Sequence, residues 1–482
     1  MTFSLLATDG YKFSMAEAGW PLRRETFYYT HRKGGAQLLP FDVETEVRRL
    51  LPDASPEDYA YLAQHDYEMG ADFKSAIILA DPLRVNALPK GAWFFPKEPV
   101  FSVSGPSALV SWLEPLLLQL NFRIQVATLG FTNPQKLAHE LAVVTCEEQR
   151  TIAVETLEGI GLRSPAIHVD SDGYYQRVKA QARELVEIVE DGGRLFEVGL
   201  RSATCLSQHR IALAACKDAG IVRTSSVLGA RELGLTPVGT MGHEHIQRYG
   251  SDAAAFRAMH ERRAQRSSYL LDTFDTLRSG IPAAYDLIAE TPDRGDSIRY
   301  DSGDKAAQYL VAIERAKERG IRPVQIIEDS CDAAMTRKFE ALRIQVGWRP
   351  DEQFYGYGGH LVASTMGGEL TRDRVAAVYK LSQTDHTPTM KFGDEVSSGK
   401  QSLPGRPVLF RRTSADGPVG IVGQEGEDAP DGYLLLSGQT RDTHEPAIAP
   451  TVSGETHRLG YTRATQVMVD SLNCQRRSSW LK

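Results

Sequence analysis

The chain has 482 residues, 42% hydrophobic and 24% charged, which is the composition of a soluble globular protein too long for one compact core, so two domains are expected. Its net charge of -7 argues against a polyanionic partner such as nucleic acid. No apolar run approaches the ~20 residues that a membrane-spanning helix needs, so no membrane partner is expected.

The N-terminal stretch "MTFSLLATDGYKFSM" lacks a basic leader, a sustained apolar run and a cleavage site, so it does not read as a signal peptide. The segment 146–190 carries no motif that assigns it a role. Between about 190 and 380 one grammar repeats: a short apolar or β-branched run ends in polar or glycine residues, and an amphipathic helix follows. The runs are "RLFEVGLR", "GIVRTSSV", "LTPVGTMGHEH", "SYLLDTFDT", "SIRYDSGD", "VQIIEDSCD", "QFYGYGGH" and "VAAVYKLS". This alternation means parallel strands with helical crossovers, and about eight units would close into an α/β barrel. The basic cluster "ERRAQR" (261–266) reads as the solvated face of a helix running from about Asp252. Residues 411–433, rich in Gly, Asp and Pro, read as hairpins and loops of a C-terminal β-rich part. Cys146, Cys205, Cys216, Cys331 and Cys474 form no C-x-x-C pair, which argues against a disulfide framework or structural zinc and for a reducing cytoplasm.

Active sites of such barrels lie at the C-terminal strand ends. Here those ends carry Arg201, Ser225, His243, Asp272, Asp275, Arg299, Asp301, Asp304, Glu328, Asp329, Gly358 and Gly359. Singly, an aspartate there is a helix cap and a glycine a tight turn. Together at one rim they point to chemistry. Glycine loops feeding helix N-termini, with arginines nearby, suit phosphate, and the adjacent carboxylates of Glu328 and Asp329 suit paired ribose hydroxyls. Within "VGTMGHEH" (238–245), His243 could serve a metal, a proton relay or phosphoryl transfer. The spacing is not H-E-x-x-H, and no third ligand sits at a recognisable distance, which disfavours zinc.

Taken in order, "TDGYKFSMAEAG", "FYYTHRKGG", "LEPLLLQLNFRIQVAT", "VGLRSA", "TSSVLGA", "GTMGHEH", "IRYDSGD", "YGYGGHLVAS" and "VYKLSQTDHTPTMKFGDEVSSGKQSLPGR" resemble the nicotinate phosphoribosyltransferase family. The resemblance implies an irregular α/β barrel of the type II phosphoribosyltransferase kind, at 151–374. An antiparallel, sheet-rich domain would be built from residues 1–150 and 375–482. It implies transfer of phosphoribose from phosphoribosyl pyrophosphate to a pyridine nitrogen, with Mg²⁺ and coupled ATP hydrolysis, in a homodimer whose subunits share active sites. By the same resemblance Arg32, Arg372 and Lys380 hold the leaving pyrophosphate. The 5′-phosphate lies on the backbone of Gly358–Gly359 beside Arg201. Asp301 and Asp329 face the ribose or the water shell of Mg²⁺, with no direct protein ligand to the metal. Tyr11 stacks on the pyridine from the neighbouring subunit, Arg299 lies near the ring's substituent, and His243 is the residue that ATP phosphorylates. His245 is structural.

Ser225 stands where amide-specific relatives carry Asp, and a hydroxyl can donate to the carboxylate of nicotinate, so the acid is favoured over nicotinamide. Val198 replaces the family's usual Phe, Ser202 replaces a second Arg, and "YGYGGH" resembles the amide-specific glycine loop; use of nicotinamide stays open. A metal-dependent barrel hydrolase and a non-catalytic phosphoribosyl-ligand binder are the readings from other classes.

Overall fold

The computed structural model describes residues 3–78, 83–263, 266–366, 369–392, 401–414, 417–438 and 457–479. Seven of the eight apolar runs become parallel strands of one curled sheet. Its order is Thr236–Pro237, Arg223–Thr224, Leu195–Glu197, Gln353–Tyr357, Val324–Ile327, Ser297–Tyr300 and Ser268–Leu270. The first and last strands of that order do not pair with each other, so this is an irregular, incompletely hydrogen-bonded α/β barrel. The eighth run belongs elsewhere. Val378–Thr384 pairs antiparallel with Arg24–Thr30, in a five-stranded sheet with Thr387–Pro388, Phe101–Pro106 and Arg84–Ala87. An isolated apolar run carries no record of which sheet it joins, and this one is not followed by a crossover helix.

The crossover helices start where capping residues stand. Asp304 accepts from the backbone N–H of Ala307 to open Lys305–Glu318, and Asp332 accepts from Met335 to open Ala333–Val346. Asp275 likewise caps its helix by accepting from Leu277 and Arg278, so for Asp275 and Asp304 the structural role is the one observed. The helix from Asp252 ends at Arg262, and Arg263 beyond it turns inward to Glu17. Residues 411–433 hold the expected hairpin: Pro407–Ser414 pairs with Gly417–Gln424.

Two large cores result. One packs barrel strands and helices around Tyr269, Tyr300, Tyr309 and Tyr355, and the other packs the antiparallel sheet around Phe27, Phe101, Trp112 and Tyr379. The N-terminal segment joins the two. Gly10 N–H donates to the Ser225 carbonyl at 2.7 Å, Asp9 bridges to Ser226, and a Cβ on Gly239 would lie 2.5 Å from the Gly10 carbonyl carbon. Only glycine allows backbones this close. The helix Gly10–Ala18 is thereby laid across the strand ends, over the barrel mouth. No helix among the described residues is long and apolar enough to cross a membrane.

Candidate active site

One cavity of about 1160 Å³ opens at the C-terminal strand ends; every residue to which the resemblance gave a role at the site lines it, whereas Asp272, Asp275 and Asp304 do not. The lining residues arrive on both sheets of a single chain. Tyr11, Arg32, Arg372 and Lys380 therefore reach the cavity of their own chain, whereas the resemblance drew Tyr11 from a neighbouring subunit.

Tyr11, Arg201 and Ser225 form a slot at one side. The Arg201 guanidinium carbon lies 5.5 Å from the centre of the Tyr11 ring, and the Tyr11 hydroxyl donates to Glu114 at 2.7 Å. Arg201 turns toward carboxylates, with Nε 3.4 Å from Asp9 Oδ2 and an Nη 3.8 Å from Glu114 Oε1. Burial alone would raise both acids. At Glu114 the charges of Lys12, 2.7 Å away, and Arg201 overcome burial and hold it below the usual carboxylate range, whereas Asp9 ends raised. Ser225 Oγ donates its one proton to Asp9 Oδ1 at 2.6 Å. Toward a ligand it offers lone pairs, so it is not the donor to a substrate carboxylate that its residue type suggested. Val198, half-buried at the end of its strand, leaves the slot without a second aromatic wall.

Another part of the lining is cationic. Cross-strand pairing sets Val378 against Thr30 and Lys380 against Tyr28, while Arg32 N–H bonds to the Val375 carbonyl, so Arg32, Arg372 and Lys380 converge. Burial pushes Lys380 down to about 8, with Lys391, Arg32 and Arg201 adding to the effect and Glu114 opposing it. Burial, together with Arg372, also lowers Arg32. Cations gathered like this, with the Lys380 ammonium making no hydrogen bond among the described residues, form a seat for a multivalent anion. Beside them Gly358 follows its strand, and Gly359 opens the short helix Gly359–Val362. A Cβ on Gly359 would collide with the Asp373 carboxylate.

At the rim Arg299 lies 3.6 Å from Glu328, 3.9 Å from Asp301 and in a hydrogen bond with Thr240. Asp329 and Ser330 both hold positive φ, 54° and 52°, and Lys305 clamps the strand end by donating to the carbonyls of Glu328 (2.7 Å) and Asp329. Two successive non-glycine residues in that region carry strain, which places the Asp329 loop where the cavity needs it.

His243 begins the helix His243–Tyr249. Its Nδ1 is 3.0 Å from Thr273 Oγ1, and its Nε2 is 3.3 Å from Asp301, 3.7 Å from Asp272 and 2.7 Å from Lys391 Nζ. Burial and then Lys391 lower its pKa to about 4, against the pull of Asp272 and Asp301. The ring is thus neutral near pH 7, with its Nδ1 proton directed to Thr273 and a lone pair at Nε2. Asp301 is held well below the usual carboxylate range: burial opposes this, and the charges of Arg299 and Lys391 outweigh it. His243, Asp272 and Asp301 form the one cluster of metal-binding type among the described residues, yet the ammonium of Lys391 already faces His243 and Asp272, which speaks against zinc there. His245 is fully buried with Nε2 3.0 Å from the Ala255 carbonyl, a structural role as expected.

Lys391 is a candidate site residue that the sequence did not single out; it stands in "TPTMKFGDE", a stretch that carries the resemblance but no assigned role. Asp9 and Glu114 were missed too, since neither sits at a strand end of the barrel. The cavity also continues to the opposite end of the barrel, where Phe196 and Phe354 stack at 5.5 Å, with the Arg223 guanidinium 5.8 and 5.4 Å from their centres.

No protein-family model matches the chain. It is 32% identical over 251 residues to a nicotinate phosphoribosyltransferase of Mycobacterium tuberculosis, covering 50% of each chain. It is 27% identical over 270 residues to that of Bacillus subtilis, covering 55% of this chain and 50% of the relative. It thus spans about half the length of these relatives. With the human nicotinate phosphoribosyltransferase it shares 25% over 434 residues, 86% of this chain and 77% of that one. The fold is similar to solved nicotinate phosphoribosyltransferase structures from Porphyromonas gingivalis (TM-score 0.58, 18% identity, 83% of this chain and 96% of that one) and Vibrio cholerae (TM-score 0.57, 18% identity, 83% and 89%).

Proposed function

We propose that the chain is a member of the nicotinate phosphoribosyltransferase family and joins nicotinate to the ribose of phosphoribosyl pyrophosphate, releasing pyrophosphate. The observation that carries this reading is that the Tyr11–Arg201 slot and the Arg32, Arg372 and Lys380 cations line one cavity. As the bond from C1 to pyrophosphate lengthens, negative charge collects on the leaving group and positive charge on the sugar. The cationic wall stabilises the former. The carboxylates of Asp301, Glu328 and Asp329 suit the hydroxyls and the positive ring. The backbone of Gly358–Gly359 is placed for the 5′-phosphate, and Arg201 or Arg299 supplies the charge that a pyridine carboxylate needs.

ATP coupling through His243 belongs to the same proposal. A neutral imidazole with a lone pair at Nε2 is the form that attacks a phosphoryl group, and Lys391, which donates to that lone pair here, would turn to the oxygens of the incoming group. Mg²⁺, which takes hard oxygen donors and keeps its waters, fits beside Asp301 and Asp329, and when bound it would spread the charge of the leaving group.

We place the sheet-rich domain at 1–150 with 375–482 and the barrel at 151–374. A homodimer with shared active sites belongs to the same proposal. A cytoplasmic location accords with five free cysteines. Nicotinamide is the second reading, favoured by Ser225 presenting acceptor lone pairs to the slot. The deciding assay offers purified protein phosphoribosyl pyrophosphate and Mg²⁺ with nicotinate, nicotinamide or quinolinate, with and without ATP. Pyrophosphate release with nicotinate, stimulated by ATP, is expected; release with none of the three bases overturns the reading.

A further inference from the structure

One short pattern occurs twice in the chain and meets itself in space. Residues 145–149 read Thr-Cys-Glu-Glu-Gln, and residues 204–208 read Thr-Cys-Leu-Ser-Gln. Each opens a helix, Glu147–Glu158 and Leu206–Asp218, with the cysteine at the cap in extended backbone. In each, the glutamine side chain accepts from its threonine's backbone N–H and hydroxyl, at 2.8 and 2.7 Å for Gln149 and 2.7 and 3.1 Å for Gln208. The two turns are locked face to face. Glu148 accepts from the Ser207 N–H at 3.0 Å, and the sulfurs of Cys146 and Cys205 lie 3.6 Å apart. Both cysteines are buried, 4% and 2% exposed, and neither lines the cavity.

We propose that Cys146 and Cys205 form a dithiol–disulfide pair, a modification site oxidised by small peroxides that ties the helix Glu147–Glu158 to the turn carrying Arg201. A disulfide needs the sulfurs at roughly 2.05 Å. Both residues stand just outside their helices, where small backbone shifts close that distance without unwinding a turn. The order of events follows from the surroundings. The Cys205 thiol donates toward the Cys146 sulfur, burial opposes, and the Gln149 N–H at 3.4 Å adds its dipole, so the Cys146 thiol is lowered. Burial raises Cys205, and the Glu148 carboxylate acts against both thiolates. Cys146 therefore reacts first.

The Cys146 thiolate attacks one peroxide oxygen and the O–O bond breaks. The departing hydroxide takes up the proton that Cys146 gave, leaving as water, and Cys146 is a sulfenic acid. The Cys205 sulfur then attacks the sulfenic sulfur as its own proton departs, the S–O bond breaks, and a second water leaves. Two thiols and one hydrogen peroxide become one disulfide and two waters, and an added dithiol reverses the change. Burial makes both directions slow, governed by local opening of the two caps. Cys205 lies four residues after Arg201, on the turn that follows Leu200–Ser202, so the cross-link reaches the edge of the cavity.

The test uses the full chain and does not depend on which reaction it catalyses. Treatment with hydrogen peroxide, followed by alkylation and mass analysis, is expected to show a loss of about 2 Da, two thiols protected, and a cross-linked peptide pair containing Cys146 and Cys205. Dithiothreitol should restore all five thiols. The oxidised chain should melt roughly 3–5 °C higher, because the bond closes a long loop. Cys205→Ser keeps a good cap residue and should stop at a sulfenic acid on Cys146, trapped by dimedone. A folded chain that keeps five free thiols, cross-links another pair, or in the Cys205→Ser form is oxidised first at Cys216, Cys331 or Cys474 overturns the proposal.

Discussion

Lys391 Nζ donates to His243 Nε2 across 2.7 Å and lies 3.2 Å from Asp272 Oδ2. An ammonium in contact with an imidazole disfavours its protonation, and the Asp272 carboxylate lies against the same ammonium. The pair therefore holds His243 in its nucleophilic form while leaving a cation beside the atom that would be phosphorylated.

Replacing that cation should be visible in pH profiles. His243 acts only when neutral, so the ATP-coupled rate is lost as pH falls through its folded pKa of about 4. In Lys391→Met this acid limb should move upward by about 1 unit. The depressed value also means that the unfolded chain binds the proton more tightly, so stability falls as pH drops from about 6.5 toward 4. An unmoved limb in the variant, followed by stopped-flow rates between pH 4 and 8, would remove Lys391 from this role.

His243→Ala should abolish the acid-labile phosphoprotein and the ATP stimulation while leaving slow, ATP-independent transfer. Radiolabelled ATP followed by acid and base treatment reads the first, and a pyrophosphate assay reads the second. Persisting ATP stimulation would show that the coupling lies at another residue.

Lys380→Ala removes one of the three cations facing the leaving group. Its contribution grows as the bond breaks, so kcat should fall by roughly 10²–10³ with a smaller change in KM for phosphoribosyl pyrophosphate. An effect confined to KM would make Lys380 a binding group only.

Ser225 spends its proton on Asp9. Ser225→Ala should therefore alter the nicotinate to nicotinamide ratio of kcat/KM by less than about tenfold. Ser225→Asp sets a second carboxylate against Asp9, raises the pKa of one of the two, and should suppress nicotinate use more strongly. Competition assays with both bases measure this, and a collapse of nicotinate use in the alanine variant would restore Ser225 as the substrate's donor.

Val198→Phe would give the slot opposite Tyr11 a second ring. Aromatic stacking is worth about 0.5–1.5 kcal/mol, so KM for the base should drop by roughly 2–10-fold with kcat little changed. A rise in KM would mean that the space beside Val198 is already needed by the base.

The barrel was legible because its strands are short apolar runs with charged ends, and a core needs neither charge nor glycine at those ends. Arg201, Asp301 and Gly358 stand out on that ground alone. The run at Val378–Thr384 reads the same locally but pairs with Arg24–Thr30 more than 340 residues earlier, and local pattern cannot encode such a partner. Lys391 was hidden for a related reason: its partners Asp272 and His243 lie 119 and 148 residues away, and the stretch around it has no periodicity to place it. The direction of the Ser225 proton depends on Asp9, 216 residues distant, so the residue type alone suggested the wrong partner.

The close approach of Gly10 to Gly239 has a bearing on how the molecule is made. Contacts between remote positions must wait for the intervening polypeptide, and their closure is entropically slow. As synthesis runs from the amino end, the opening helix must be kept unspent until the turn before His243 has been threaded beneath it. The reactive mouth is thus finished only once positions 229 residues apart have both been made.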